Sequence, residues 1–270
     1  MTARTRNALA ATVTTLVVAL FVALDHVAPP VAAGGLLHPW RRPVTQAPPP
    51  GCRDATFDGE GVTLRGWQCQ AVGPRRGTLV YLHGVADNRT SAVGAIQMLT
   101  TAGLDVVAYD SRAHGESTGT ACTYGYLEKQ DLRRVVARLA PGHVVLLGTS
   151  LGAAIALQDA PDDSRISGVV AAETFSDLKT VARERAPCIL TNRMIRRAFA
   201  LAESQGGFRV DEVSPEAAAR RIRIPVLLIH GAADIDTSPD HTRRVFAALA
   251  GPKALVLVAG AHHNESLNAP

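Results

Sequence analysis

One short stretch limits what this chain can fold into more than any other. The apolar run Val144-Val145-Leu146-Leu147 passes directly into Gly148-Thr149-Ser150-Leu151-Gly152 and then into Ala153-Ala154-Ile155-Ala156-Leu157. A continuous apolar run of this length suits a strand buried on both faces of a parallel sheet. The glycines permit a turn too tight for β-carbons, and the small residues beyond let a helix lie close to the sheet. Ser150 is thereby expected at a sharp strand-to-helix corner, with its hydroxyl in the open.

The same alternation of apolar runs and helical stretches recurs along the chain. Strands are expected at 62–72, 77–83, 105–109, 143–148, 166–172, 225–230 and 254–258, with a short one near Ala55–Phe57. Helical segments fall between them, at roughly 90–102, 125–139, 151–160, 177–203 and 240–250. Strands and helices in this order argue a doubly wound α/β domain, in which function sits at the carboxyl ends of the strands. The 270 residues are 47% hydrophobic with a net charge of only +4, which excludes disorder for the bulk of the chain. The arginines are scattered singly or in pairs such as Arg133-Arg134 and Arg220-Arg221, mostly on the expected helices. That pattern reads as solvated helix faces and does not suggest a nucleic-acid partner.

The N-terminus carries a different signal. Arg4 and Arg6 precede an uncharged run from Ala8 to Leu24, closed by Asp25. Such a run is about 25 Å long as a helix, at the short limit for spanning a bilayer. Positive charge ahead of it predicts a cytoplasmic N-terminus and an extracytoplasmic remainder. Residues 1–24 are expected to be an uncleaved signal anchor, with a cleaved signal peptide as the alternative. Residues 25–51 hold seven of the 16 prolines and are expected to form a stiff, extended linker. Export makes the four cysteines meaningful: Cys52–Cys69 across a first hairpin and Cys122–Cys188 are the expected disulfides, among three possible connectivities.

Further motifs follow other strands. His83-Gly84 closes the strand at 77–83, and Asp110-Ser111-Arg112-Ala113-His114-Gly115 follows the one at 105–109. His230-Gly231-Ala232-Ala233-Asp234 ends the strand at 225–230, and His262-His263-Asn264 follows that at 254–258. With the serine corner, these motifs make residues 55–268 resemble the alpha/beta-hydrolase superfamily, in its single-domain serine esterase, thioesterase and peptidase-like branch of membrane-anchored type. The resemblance implies an eight-stranded, mostly parallel sheet with helices on both faces. It also implies a catalytic domain over 52–270, and the long connection 176–222 as a small helical cap.

By position, the resemblance makes Ser150 the nucleophile, Asp234 the orienting acid and His263 the base, with Asp236 and His262 as rivals for the last two. The backbone N–H groups of Val85 and Leu151 would form the oxyanion hole. His83, His114, His230, Asp110 and Arg112 are expected in structural roles. The implied activity is Ser-His-Asp hydrolysis of a carboxylic ester or thioester, with a peptidase or a non-catalytic binding protein as alternatives. The expected partners are a small or lipid-like acyl substrate and, through the N-terminal segment, a membrane. No zinc spacing and no dinucleotide fingerprint occurs, so neither a metal nor a cofactor is implied.

Overall fold

The computed structural model describes residues 3–267; Met1, Thr2 and residues 268–270, the end of the expected catalytic domain, lie outside them. Eight strands form one sheet: β1 Cys52–Asp58, β2 Thr63–Cys69, β3 Gly77–Leu82, β4 Leu104–Tyr109, β5 Val144–Thr149, β6 Ile166–Ala172, β7 Val226–Gly231 and β8 Lys253–Val258. Their spatial order is β1-β2-β4-β3-β5-β6-β7-β8. The β1–β2 and β2–β4 pairs are antiparallel, and every pair from β4–β3 to β7–β8 is parallel. The central parallel strands thus all end on one edge, and that edge carries the motifs.

Alternation along β3 shows how the core is divided. Val80 and Leu82 pack towards α3 (Glu128–Ala137) and α4 (Leu151–Asp159), while Leu79 and Tyr81 pack towards α2 (Val93–Thr101). Every residue of α4 is buried. This helix faces the sheet on one side and α3 and α7 (Pro215–Ala219) on the other, which is why its sequence shows no polar face. Ser238 caps α8 (Pro239–Ala248), whose Val245 joins the same core layer.

The connection from β6 to β7 carries α5 (Leu178–Glu184), α6 (Asn192–Gly206) and α7. The single helical stretch expected at 177–203 is therefore two helices, separated by a loop containing Pro187. Proline disfavours helical backbone in the residue before it and supplies no N–H, and Thr191 caps the restart.

Helix α1 runs from Ala3 to Leu37 and is long and apolar enough to cross a membrane. It corrects the expectation of an extended linker from residue 25, because the helix continues through Pro29 and Pro30. Packing overrides local preference there: Ala33 and Leu37 are fully buried against Phe175, Leu178 and Ala202. Asp25 accepts from Arg197 of α6 at 2.7 Å. Residues 38–50 are irregular but fastened along the domain. Arg41 donates to the Ser117 carbonyl at 2.7 Å, and Asn88 donates to those of Arg42 and Pro43 at 3.0 and 3.2 Å.

Cys52 and Cys69 are directly opposite each other in the β1–β2 ladder and form a disulfide. The expected Cys122–Cys188 bond is corrected: both are free thiols, Cys122 buried in the core and Cys188 exposed in the α5–α6 loop. One side chain faces the core and the other solvent, so the two do not meet.

Candidate active site

The end of β5 turns into α4 at Ser150, which has φ 49° and ψ −109°. A side chain rarely adopts a positive φ, and here the flanking glycines make it possible. A β-carbon on Gly148 would run into the backbone of Gly152, and one on Gly152 would run into the Leu82 carbonyl. The turn is locked to the sheet by Ser150 N–H, which donates to the Ala172 carbonyl at 2.8 Å.

The loops after β7 and β8 bring two further groups to this corner. His263 Nε2 lies 3.1 Å from Ser150 Oγ, and its Nδ1 donates to Asp234 Oδ2 at 2.7 Å. With the Nδ1 proton committed to the carboxylate, Nε2 is free to accept from the serine hydroxyl. The other carboxylate oxygen, Oδ1, accepts from the backbone N–H groups of Asp236 and Thr237, each at 2.9 Å. Burial by itself would raise the Asp234 pKa. Hydrogen bonds from His230, His263 and Thr237 N outweigh it and hold the group well below the usual carboxylate range.

The rival positions stand elsewhere. Asp236 meets Asp234 through its backbone N–H, and its side chain lines the cleft. His262 is exposed, and its backbone N–H donates to Glu265. Gly84 packs beside Ser150, which brings the following Val85 to the cleft wall, and Leu151 opens α4. Val85 therefore lines the cleft that holds Ser150, and Leu151 follows the serine directly in the chain.

His83 and His114 make hydrogen bonds inside the fold. His83 Nδ1 donates to the Gly84 carbonyl at 2.7 Å, while Nε2 accepts from Ser111 N–H at 2.9 Å. Both ring nitrogens are thus committed in the neutral form, and burial lowers the pKa accordingly. Burial and the neighbouring His83 bring His114 down to about 4. Asp110 takes Arg89 at 2.5 Å, and Arg112 grips Asp131 through two bonds at 2.7 and 2.8 Å.

Four further residues shape the site, and of these only His230 is singled out in the sequence, in a structural role. Glu173, fully buried after β6 with φ 57°, accepts from Asn264 N–H at 2.5 Å and from Ser266 N–H at 3.1 Å. It thus holds the loop that bears His263. His230 Nε2 donates to the Thr237 carbonyl at 2.9 Å and faces Asp234 Oδ2 at 3.1 Å. Trp40 and Arg42, from the segment read as a linker, form part of the cleft wall. Glu173 meets its partners across 91 and 93 residues of chain, whereas His230 acts within its own segment from β7 to α8.

The cleft above Ser150 has a volume of about 940 Å³ and is walled by Trp40, Arg42, Arg185, Ile235 and Asp236 in addition to the site residues. Among the described residues, no group of three or more His, Cys, Asp or Glu side chains is arranged to hold a metal ion.

A family model for the alpha/beta hydrolase fold matches residues 77–205. An uncharacterized Bacillus subtilis protein, YqkD, is 32% identical over 196 residues, 69% of this chain. The match spans 64% of that relative's length, just under two thirds. Another relative, YfhR of Escherichia coli K12, also uncharacterized, is 28% identical over 77% of this chain and 72% of its own. Among solved structures, the Pyrococcus furiosus esterase Pf2001 superposes with a TM-score of 0.69 at 23% identity, covering 85% of this chain and 92% of the esterase. An acylaminoacyl peptidase superposes with a TM-score of 0.62 at 15% identity, covering 81% of this chain but 38% of the peptidase. The sheet order, the serine corner after β5 and these matches agree, and the chain belongs to the alpha/beta-hydrolase superfamily.

Proposed function

We propose that this protein is a serine hydrolase of carboxylic esters or thioesters, held at the outer face of a membrane by α1. The observation that carries the reading is the unbroken line Ser150–His263–Asp234, with spacings of 3.1 and 2.7 Å, opening on a cleft of about 940 Å³.

In the first step Ser150 Oγ attacks the substrate carbonyl and its proton passes to His263 Nε2. Asp234 holds the imidazole tautomer and stabilises the imidazolium. The carbonyl oxygen becomes an oxyanion, met by the N–H groups of Val85 and Leu151; one such donor is typically worth about 2.7–4 kcal/mol. His263 returns the proton to the leaving oxygen or sulfur as the acyl bond breaks. Water then attacks the acyl-serine with His263 again as base, releasing the acid and restoring Ser150.

Two features support an extracytoplasmic domain. Arg4 and Arg6 precede the apolar run, favouring a cytoplasmic N-terminus, and the Cys52–Cys69 disulfide suits an oxidising compartment. Added protease should then digest the domain in intact cells or spheroplasts.

Fluorophosphonate labelling tests the chemistry. Wild type is expected to label, and Ser150→Ala is not. Absence of label on wild type would make the chain a hydrolase-like binding protein. Faster turnover of aminoacyl arylamides than of p-nitrophenyl esters would make it a peptidase.

A further inference from the structure

A second cavity, of about 340 Å³, lies under the cap. Its walls come mainly from three helices, with Ala32 and Leu36 of α1, Val181 and Ala182 of α5, and Ala198 and Phe199 of α6, completed by Tyr124 and the α5–α6 loop. These walls are mostly hydrocarbon, with Tyr124 and Arg185 as their polar side chains, whereas the catalytic cleft includes Arg42, Asp87, Glu184 and Asp236. Arg185 belongs to both linings and stands between the two spaces. Its guanidinium is drawn towards the acid loop, where it donates to the Asp236 carbonyl at 2.7 Å and to Thr237 Oγ1. The partition facing the apolar cavity is therefore left to the aliphatic stem.

The position of α1 indicates what could fill this space. Asp25 closes the apolar run of α1 and pairs with Arg197 at 2.7 Å and Arg193 at 3.7 Å on α6. Seven residues further along, about 10 Å at helical rise, Ala32 is already part of the cavity wall. Val27 and Val31 of the same turns remain exposed, as does Ile189 of the cap. The cavity thus lies beside the point where α1 leaves its apolar stretch, within reach of lipid. Its volume has room for about eleven groups of roughly 30 Å³ each, the size of a water or a methylene.

From this geometry we propose that the cavity is an acyl-chain subsite, in which the last turns of the anchor helix form one wall. It would hold the tail of a single long-chain acyl substrate taken from the membrane while the carbonyl lies at Ser150. This inference rests on the hydrolase reading only for the placement of the carbonyl. Each methylene moved from water into such walls favours binding by roughly fourfold. Preference should therefore climb along the p-nitrophenyl series from butyrate to laurate and then level off.

The test uses the full chain in phosphatidylcholine vesicles. In Ala182→Trp and Ala32→Trp, which fill the space from different helices, the laurate-to-butyrate ratio of kcat/KM should fall at least tenfold. Labelling of Ser150 by a short fluorophosphonate reports that each variant is folded. Independently of turnover, a palmitate with a mid-chain diazirine should crosslink on irradiation to peptides within 27–37 and 178–199. Parallel assays with p-nitrophenyl palmitate, a palmitoyl thioester and a dipalmitoyl phospholipid identify the source of the chain; cleavage of none of them would overturn the proposal.

An unchanged ratio in folded variants, or crosslinks elsewhere, would also overturn it. Loss of wild-type labelling alone would overturn the hydrolase reading, and the crosslinks would still decide this one.

Discussion

His230 and His263 share one carboxylate oxygen: Asp234 Oδ2 lies 3.1 Å from the first and 2.7 Å from the second. His230 is fully buried at the end of β7, and its Nδ1 accepts from the Thr242 hydroxyl at 2.6 Å. The acid of the site is therefore held from both sides, by a histidine that faces the serine and by one that faces α8.

This sharing predicts a pH effect. The native pKa of Asp234 is depressed, so its ionisation contributes stability that is present above the unfolded value near 3.9. That contribution is lost as pH falls through the native value. Replacing His230 by Phe removes one donor and raises the native pKa, so part of the contribution disappears. Acid unfolding followed by circular dichroism should begin at higher pH in His230→Phe than in wild type. Equal midpoints would show that the His230 contact is energetically silent.

Glu173 should matter through the loop it holds. Leaving the Asn264 and Ser266 amides without an acceptor costs about 1–3 kcal/mol for a buried donor. Glu173→Ala is expected to lower the thermal midpoint and to reduce kcat with little change in KM. Glu173→Gln, which keeps an acceptor oxygen, should recover part of both. A loss in KM alone would contradict a positioning role.

The serine corner should tolerate no β-carbon at its glycines. Gly152→Ala meets the Leu82 backbone, and Gly148→Ala meets Gly152 itself. Overpacking of this kind typically costs 1–3 kcal/mol and occasionally more. Both variants should show lower urea midpoints together with loss of fluorophosphonate labelling.

The cysteines give a chemical check on the fold. Cys188 should react with a maleimide in the native protein, and Cys122 only after denaturation. Reduction of Cys52–Cys69, separated by 17 residues, should cost about 3 kcal/mol by the chain-entropy relation. The two lie on the antiparallel edge of the sheet, away from β5, so fluorophosphonate labelling below the unfolding temperature should survive reduction.

Much of this architecture is legible in the residues because the signals are local. Continuous apolar runs marked the parallel strands to within a residue or two, since strands covered on both faces have no polar side. Ser150 was readable because a strand, two glycines and a small-residue helix must follow one another directly. Preferring Asp234 to Asp236 and His263 to His262 by sequence needed a family pattern; in the fold, Asp234 and His263 are hydrogen-bonded to each other and His263 faces Ser150.

Other features depend on contacts between distant segments, and those the tertiary structure decided. Pro29 and Pro30 argue against a helix locally, yet burial of Ala33 and Leu37 against Phe175, Leu178 and Ala202 carries α1 to residue 37. Cys122 and Cys188 suggested a pair by count, until one faced the core and the other solvent. Glu173 looks like any carboxylate until the loop after β8 is brought back over the end of β6. By itself the sequence determined the layer order and the reactive corner, because short-range sterics and burial periodicity specify those. Only the tertiary structure determined what steadies the base and what walls the cavities, because these depend on groups brought together across 90 or more residues or on a helix docked from the far end of the chain.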